Sequence, residues 1–329
     1  MEVLTQLYTN AKQWPRWTTS LVVGTIVGSL GLIGCDRSSG DSPTLGGDDR
    51  PDVVATSTII TDLTARIGGD AIDLTGILEP GTDPHIYEPV PQDTIAFEEA
   101  ELILYNGYNL EPGLIRIMNA AGVNAATLAV GEVVPPLELE DEGQTEPDPH
   151  VWGDVENGIA MAGAIRDALV AIAPDQEAEI TANADQLIAE LIQLDDWISV
   201  QIATIPPEQR QLVTTHDAFE YYAQAYGLEV AGTLIGISTE EQPSAQTVQQ
   251  LVESVRAIGV PTIFAETTIN PRLIGTVAEE AGVELASQEL YSDSIGAPGE
   301  AGDSYVNMMV ANTETVVSGL GGEVVPFEP

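Results

Sequence analysis

DVVATSTIITDLTARIGGDAIDLTGIL, residues 52–78, decides the fold. A short apolar run (Asp52–Thr58) gives way to residues spaced for a helix (Ile59–Ile67), and a second strand-like run (Ala71–Leu78) follows. The pattern then repeats. Helices are predicted at Gln92–Ala100 and Gly113–Ala121, with strands at Leu102–Tyr105 and Ala125–Val130. Pro80, Pro84, Pro89 and Pro91 keep the stretch before the second helix irregular, since proline removes a backbone donor and restricts its neighbour. Short apolar strands alternating with helices predict a parallel, helix-covered sheet.

The next segment, VPPLELEDEGQTEPDP (134–149), has no periodic apolar face and reads as a surface loop. Helices follow at Val155–Ile172 and Asp175–Ile205, the second bounded by Pro174 and Pro206-Pro207. Ile180, Leu187, Leu191, Trp197, Ile198 and Ile202 give it an apolar stripe. Alternation then resumes. Strands are predicted at Leu212–Thr214, Leu228–Leu234, Thr262–Ala265 and Val283–Ser287, and helices at Ala218–Tyr226, Ser244–Ile258, Pro271–Ala281 and Ser304–Ser318. The expected fold class is α/β, with two lobes, each a mostly parallel sheet covered by helices, joined by one long rigid helix. The lobes are expected at 52–174 and 206–329, with the connecting helix at 175–205.

The chain has 329 residues, 43% of them hydrophobic, enough for two sizeable cores. Its 52 Asp and Glu against 10 Lys and Arg give a formal charge of −42. Such a surface repels phosphate backbones and excludes nucleic acid as a partner. It also lacks a basic patch for anionic lipid. Lys12 is the only lysine. A body this acidic is expected to work in salty surroundings, where self-repulsion is screened within about 3–8 Å.

Residues 1–34 read as an export signal. Lys12 and Arg16 precede an uncharged apolar run, Leu21–Ile33, which is too short for the ~20 residues of a membrane-spanning helix. The run ends Leu32-Ile33-Gly34-Cys35, which resembles the lipobox of bacterial lipoproteins. That resemblance implies cleavage before Cys35 and lipidation of its sulfur and new amino group. Several acyl chains would hold the protein stably at a membrane. Cys35 is the only cysteine, so no disulfide within the chain is possible. Residues 35–51 comprise this cysteine and a Gly/Ser/Asp-rich tether.

His85, His150 and His216 are the only histidines. His85 follows the strand ending at Leu78, and His216 lies two residues beyond Leu212–Thr214. Ligands of open α/β sheets bind beyond the carboxyl ends of strands, so these positions suit a metal site. Three imidazoles leave one tetrahedral position, either open as in a catalyst or filled by a carboxylate. Asp293 in LYSDSIG is a candidate, though composition does not single it out among 52 acids. Glu266 ends a strand and could orient a ligand imidazole. Glu240 and Glu241 read as an acidic loop face. Trp152, Tyr87 and the group Tyr221, Tyr222 and Tyr226 read as packing residues.

Taken in order, GTDPHIYEPVPQD (81–93), YNGYNLE (105–111), DPHVW (148–152), TTHDAFEYYAQAYGL (214–228), FAETTINP (264–271) and YSDSIGAPGEAGDSYVNMM (291–309) resemble the cluster A-I zinc/manganese substrate-binding lipoproteins of bacterial ABC transporters. The resemblance spans Asp52 to Val317. It implies metal ligands at His85 and His150 from the first lobe and His216 and Asp293 from the second. The implied cargo is Zn2+ or Mn2+, delivered to a membrane permease from the extracytoplasmic face by a monomer that is not an enzyme. Manganese-dedicated members typically carry glutamate at the third position, where this chain has His216. Zinc-dedicated members often have a His-rich loop, whereas residues 137–148 are acidic without histidine. The competing function is a zinc hydrolase or lyase built on a three-histidine site, although the chain has no HExxH or Cys-based zinc pattern.

The charge composition generates a first prediction. The melting temperature should rise steadily as monovalent salt is increased from millimolar to molar in a calorimetric series. A melting temperature indifferent to salt would refute the adaptation.

Overall fold

The computed structural model describes residues 50–121, 124–141 and 144–329. The export segment, Cys35 and nearly all of the tether lie outside the described residues. Four parallel strands, β1 (Asp52–Ala55), β2 (Asp73–Gly76), β3 (Leu102–Tyr105) and β4 (Ala126–Ala129), form a sheet in the order β2-β1-β3-β4. Helices α1 (Thr58–Gly68), α2 (Pro91–Glu99) and α3 (Pro112–Ala121) connect them. β1 is shorter than its sequence suggests because Ser57 is committed to the helix. Its Oγ accepts the Ile60 N–H at 3.3 Å, satisfying one of the donors that a helix start leaves unpaired.

The acidic segment expected to be a loop is instead a hairpin, β5 (Glu138–Asp141) antiparallel to β6 (Gln144–Pro147). Only two residues, one of them glycine, separate the strands in sequence, a spacing that suits tight antiparallel pairing without an apolar face. The Asp148 N–H donates to the Leu137 carbonyl at 2.8 Å, so the pairing runs on to within two residues of His150.

Helix α4 (Val155–Ile172) leads into α5 (Glu177–Ala203), with Pro174–Gln176 forming a 3-10 turn rather than the start of the long helix. At 27 residues α5 is roughly 40 Å long. It buries Ile180, Ala184, Leu187, Leu191, Leu194, Ile198 and Ile202, a 3–4 spacing that keeps one face inward. Trp197, expected in that stripe, is only half-buried and stacks near Phe327 while donating to the Val325 carbonyl.

The second lobe comprises β7 (Gln211–Thr214), α6 (Glu220–Tyr226), β8 (Glu229–Thr233), α7 (Ala245–Ile258), β9 (Thr262–Ile263), α8 (Arg272–Ala281), β10 (Glu284–Leu285) and α9 (Tyr305–Gly319). β7 pairs with β8 and β9 with β10, both in parallel. The Phe264 N–H donates to the Val213 carbonyl at 2.9 Å and joins the two pairs. The resulting order, β8-β7-β9-β10, repeats that of the first sheet.

One apolar cluster crosses between the halves, from Val53 and Leu63 through Trp152, Leu191 and Tyr222 to Tyr305 and Val317. Helix α9 packs against both α1 and α5. Gly158 on α4 marks a close approach, where a Cβ would lie 2.6 Å from the Tyr305 hydroxyl. That hydroxyl donates to the Trp152 carbonyl at 2.7 Å.

Glu111, just before α3, is fully buried. Its Oε1 accepts 2.7 Å hydrogen bonds from the Asn106 N–H and the Thr56 hydroxyl, while Oε2 has no partner among the described residues. Burial pushes its carboxyl up to about 7, opposed by those two hydrogen bonds. Its folded pKa exceeds the unfolded value of 4.5, so its contribution to stability is fully present below about 4.5 and lost as pH rises through about 7. Glu111→Gln should therefore gain on the parent protein across that window. The gain should be on the order of 3 kcal/mol and level off above it. Chemical denaturation of both proteins from pH 4 to 8 measures the difference, and a constant offset would contradict the assignment.

Candidate metal centre

His85, His150, His216 and Asp293 converge, each offering one ligand atom, with all four atoms within 4.8 Å of one another. Their exposures are 3%, 0%, 0% and 1%, so the cluster is sealed from bulk water. His85 hangs on the loop after β2, His216 follows β7 by two residues, and Asp293 lies between β10 and α9. These are the carboxyl ends of parallel strands, where side chains leave the sheet unpaired. His150 comes from the end of the hairpin.

Two of the loops use the same local device. In Asp83-Pro84-His85 and Asp148-Pro149-His150, the aspartate Oδ1 accepts the histidine N–H two residues on, at 2.9 Å in both. The short side chain caps its own turn, with proline restricting the residue before it. Beyond this the two differ. Asp83 Oδ2 accepts the Thr239 hydroxyl of the second lobe at 2.6 Å. Asp148 Oδ1 also faces His150 Nδ1 at 2.7 Å, and its carbonyl accepts the Tyr221 hydroxyl at 3.0 Å.

Glu266 does for His216 what Asp148 does for His150. Its Oε1 accepts the N–H groups of Thr215 and His216 at 2.8 Å, and its Oε2 bonds His216 Nδ1. A carboxylate only accepts, so in the neutral imidazole the proton sits on Nδ1 and the Nε2 lone pair is left bare. Both anchored rings thus present acceptors to the centre. There His85 Nε2 lies 3.2 Å from His150 Nε2, His150 Nε2 lies 3.4 Å from Asp293 Oδ1, and His216 Nε2 lies 3.3 Å from Asp293 Oδ2. His216 Nε2 and both Asp293 oxygens have no hydrogen-bond partner among the described residues.

Buried acceptors facing one another without donors are costly unless a proton or cation sits between them. Tetrahedral coordination at about 2.0–2.1 Å puts neighbouring ligand atoms about 3.3 Å apart, matching three of these separations. His85 Nε2 is 4.0 Å from Asp293 Oδ2, so that edge is open relative to the ideal. The donor set, three imidazoles and a carboxylate, suits a divalent transition ion.

Asp293 is held from both sides by the first lobe. Trp152 Nε1 donates to the Ser292 carbonyl at 3.0 Å, while Ser294 Oγ accepts the Gly81 N–H at 2.8 Å and lies 3.1 Å from Thr58 Oγ1. Tyr222 and Tyr226, expected to be packing residues, form contacts away from the centre with Thr313 and Asp195. Among the described residues the Tyr87 hydroxyl likewise bonds away from the centre, to Asp93. Trp152 and Tyr221 do more than pack, since they tether the loops of Asp293 and His150. The roles of Asp83 and Asp148 escaped the sequence reading, although the repeated Asp-Pro-His was a local signal for both.

The three imidazoles sit in different electrostatic surroundings. Burial lowers His85 to about 3, reinforced by the other two histidines and only partly opposed by Asp293. Burial also acts against charge on His150, but its bond to Asp148 and the negative charges of Asp148 and Asp293 outweigh it and raise the ring to about 9. His216 is likewise pushed well up, with Glu266 and Asp293 overcoming burial. Against its own burial, Asp293 is held well below the usual carboxylate range by His216, His150 and His85.

Comparison with known proteins points the same way. Residues 53–319 match the family described as zinc-uptake complex component A, periplasmic. The manganese-binding lipoprotein MntA of Halalkalibacterium halodurans is 35% identical over 269 residues, covering 82% of this chain and 88% of MntA. The manganese ABC transporter substrate-binding lipoprotein PsaA of Streptococcus mitis is 37% identical over 275 residues, with the same two coverages. Among solved structures, the periplasmic zinc binding protein TroA of Treponema pallidum superposes with a TM-score of 0.78 at 33% identity, covering 82% of this chain and 99% of TroA.

The unequal surroundings predict unequal protonation. At pH 7 in metal-free protein, His85 should be neutral while His150 and His216 are protonated, with His150 losing its proton only near pH 9. Nitrogen-15 NMR of the imidazoles across pH 5–10 reads each ring separately. Three rings titrating together near 6.5 would contradict the geometry.

Proposed function

The chain belongs to the periplasmic zinc-uptake complex component A family, a family of solute-binding proteins, and from that membership we propose that it captures a divalent transition ion, Zn2+ or Mn2+, and hands it to the permease of an ABC transporter. The ligands are His85, His150, His216 and Asp293, with Glu266 and Asp148 orienting two of the rings. The single observation that carries this reading is the buried convergence of four ligand atoms, of which His216 Nε2 and the Asp293 oxygen have no hydrogen-bond partner among the described residues. A proton or a cation between them resolves that arrangement.

Several features favour carriage over catalysis. Asp293 fills the position that a hydrolytic zinc site keeps open for water, so a tetrahedral ion would have no vacancy. The ion is cargo. Three nitrogens and one carboxylate suit zinc, which also binds more tightly than manganese at almost any such site, while the relatives are named for one metal or the other. The protein works as a monomer on the extracytoplasmic face, tethered through lipidated Cys35. The family relatives that are named lipoproteins support this location.

Purified protein should bind about one Zn2+ or Mn2+ per chain in competitive titration. His216→Ala should weaken binding by ~10-fold or more, and Glu266→Gln by about 10- to 100-fold, as loss of an orienting partner does. Asp293→Ala should lose retention of the ion. A protein that kept its ion without Asp293 and gained hydrolytic turnover would favour the enzyme reading instead. Stoichiometric binding that survives changes at both His150 and His216 would refute the ligand set.

A further inference from the structure

A cavity of about 370 Å³ lies against one ligand of the centre. Its lining includes His85, Tyr108, Asn109, Glu146, Ser238 and Glu240. His85 is the one member of the four-residue cluster on its wall, and it is also the one imidazole whose Nδ1 no carboxylate anchors. Its ring is 97% buried, its Nε2 faces the centre, and its Nδ1 has no partner among the described residues. The ring therefore forms a thin partition between the sealed cluster and the cavity.

Two carboxylates on the cavity wall come from different parts of the chain. Glu146 projects from the hairpin strand β6 in the first half, and Glu240 from the loop between β8 and α7 in the second. Both are exposed, and neither pairs with a cation among the described residues. The far wall is built at a conformational cost. Gly107, Tyr108 and Asn109 take successive positive φ angles of 85°, 48° and 59°, and the last two are the only non-glycine residues with positive φ among those described. Side chains with a Cβ resist that region, so the surroundings must hold it. They do so here through the Tyr108 N–H to Glu132 Oε1 at 3.1 Å and the Tyr108 hydroxyl to the Val134 carbonyl at 2.7 Å.

We infer that this cavity is the port by which the ion reaches the buried cluster, and that Glu146 and Glu240 form its receiving station for a hydrated divalent cation. The inference rests on the metal-binding reading above. A cleft walled by one sign of charge raises the local concentration of counter-ions and speeds their arrival. Oxygen donors on a wet wall suit an ion that still carries most of its water. Dehydration then belongs to the inner cluster, where His85 is the first nitrogen met. The acidic segment 134–149 thereby acquires two roles in one hairpin, presenting Glu146 to the port and ending on the anchored ligand His150.

The test is stopped-flow association of Zn2+ with the purified full chain at low ionic strength, followed by Trp152 fluorescence or a competing chelator. Glu146→Gln combined with Glu240→Gln should slow association at least fivefold. Glu279→Gln with Glu280→Gln, an equal charge change on exposed α8, should alter it less than twofold. The proposal is overturned if the port pair associates within twofold of the parent, or if both pairs slow equally and only net charge matters. Failure of the metal-binding reading looks different, since the parent protein itself would then take up no stoichiometric Zn2+.

Discussion

Burial of acceptors that point at one another is the constraint around which this molecule is arranged. Three Nε2 atoms and two carboxylate oxygens meet in a space closed to water, and two of the rings are turned inward by carboxylates that occupy their Nδ1 atoms. Buried polar groups are normally paired. Here the pairing is left incomplete at His216 Nε2 and Asp293, and everything nearby serves to hold it so. Glu266 gathers two backbone N–H groups as well as the ring, which fixes the loop and the side chain with one residue. Asp148 does the same for His150 within a three-residue stretch.

The scaffold supplies rigidity in proportion. Helix α5 contacts α1, α4, α6 and α9, so elements from both ends of the chain share one support. Tyr305 donates its hydroxyl to Trp152 and its N–H to Asp62, and Trp152 in turn holds the Ser292 carbonyl beside Asp293. A chain of hydrogen bonds thus runs from α1 through α9 to the loop of Asp293 and past the ring of His150, which packs against Trp152. An apolar cluster continuous across the halves opposes wide hinge opening, since separation would expose it to water.

Much of this was legible in the sequence, for identifiable reasons. Every strand and helix read from apolar periodicity exists, because short buried strands and one-sided helices leave strong signals. Their ends shifted where capping overrode propensity, as at Ser57 and at the turn Pro174–Gln176. The hairpin β5–β6 was missed because its strands carry acids and prolines instead of an apolar face. The histidines stood out by scarcity and by position after strands. Asp293 did not, being one acid among 52 in a region without a local pattern, and only the family resemblance singled it out. Glu266 was suggested by its place at a strand end, but its contact with His216 spans 50 residues and exists only once the sheet is formed. The cavity wall at Tyr108 and Asn109 was only partly legible, since Asn tolerates positive φ but nothing in Tyr announces it.

Charge accounting explains how such a centre survives in a protein of net charge −42. Three carboxylates belong to it, namely Asp293 between the rings and Asp148 and Glu266 behind them. Their negative charge is what raises His150 to about 9 and His216 well above its usual value. Two protonated rings against three carboxylates leave one negative charge when the centre holds no metal, with His85 neutral. A divalent ion among three neutral rings leaves the same total. Exchange of two protons for one ion therefore changes the arrangement of buried charge but not its sum, and the desolvation that dominates buried electrostatics is nearly balanced between the two states. On the same count a monovalent ion would leave two negative charges and a trivalent one none, so neither matches the metal-free total of one. On this argument, preference for the +2 charge state is set by the two carboxylates behind the rings as much as by the four atoms that would touch the metal.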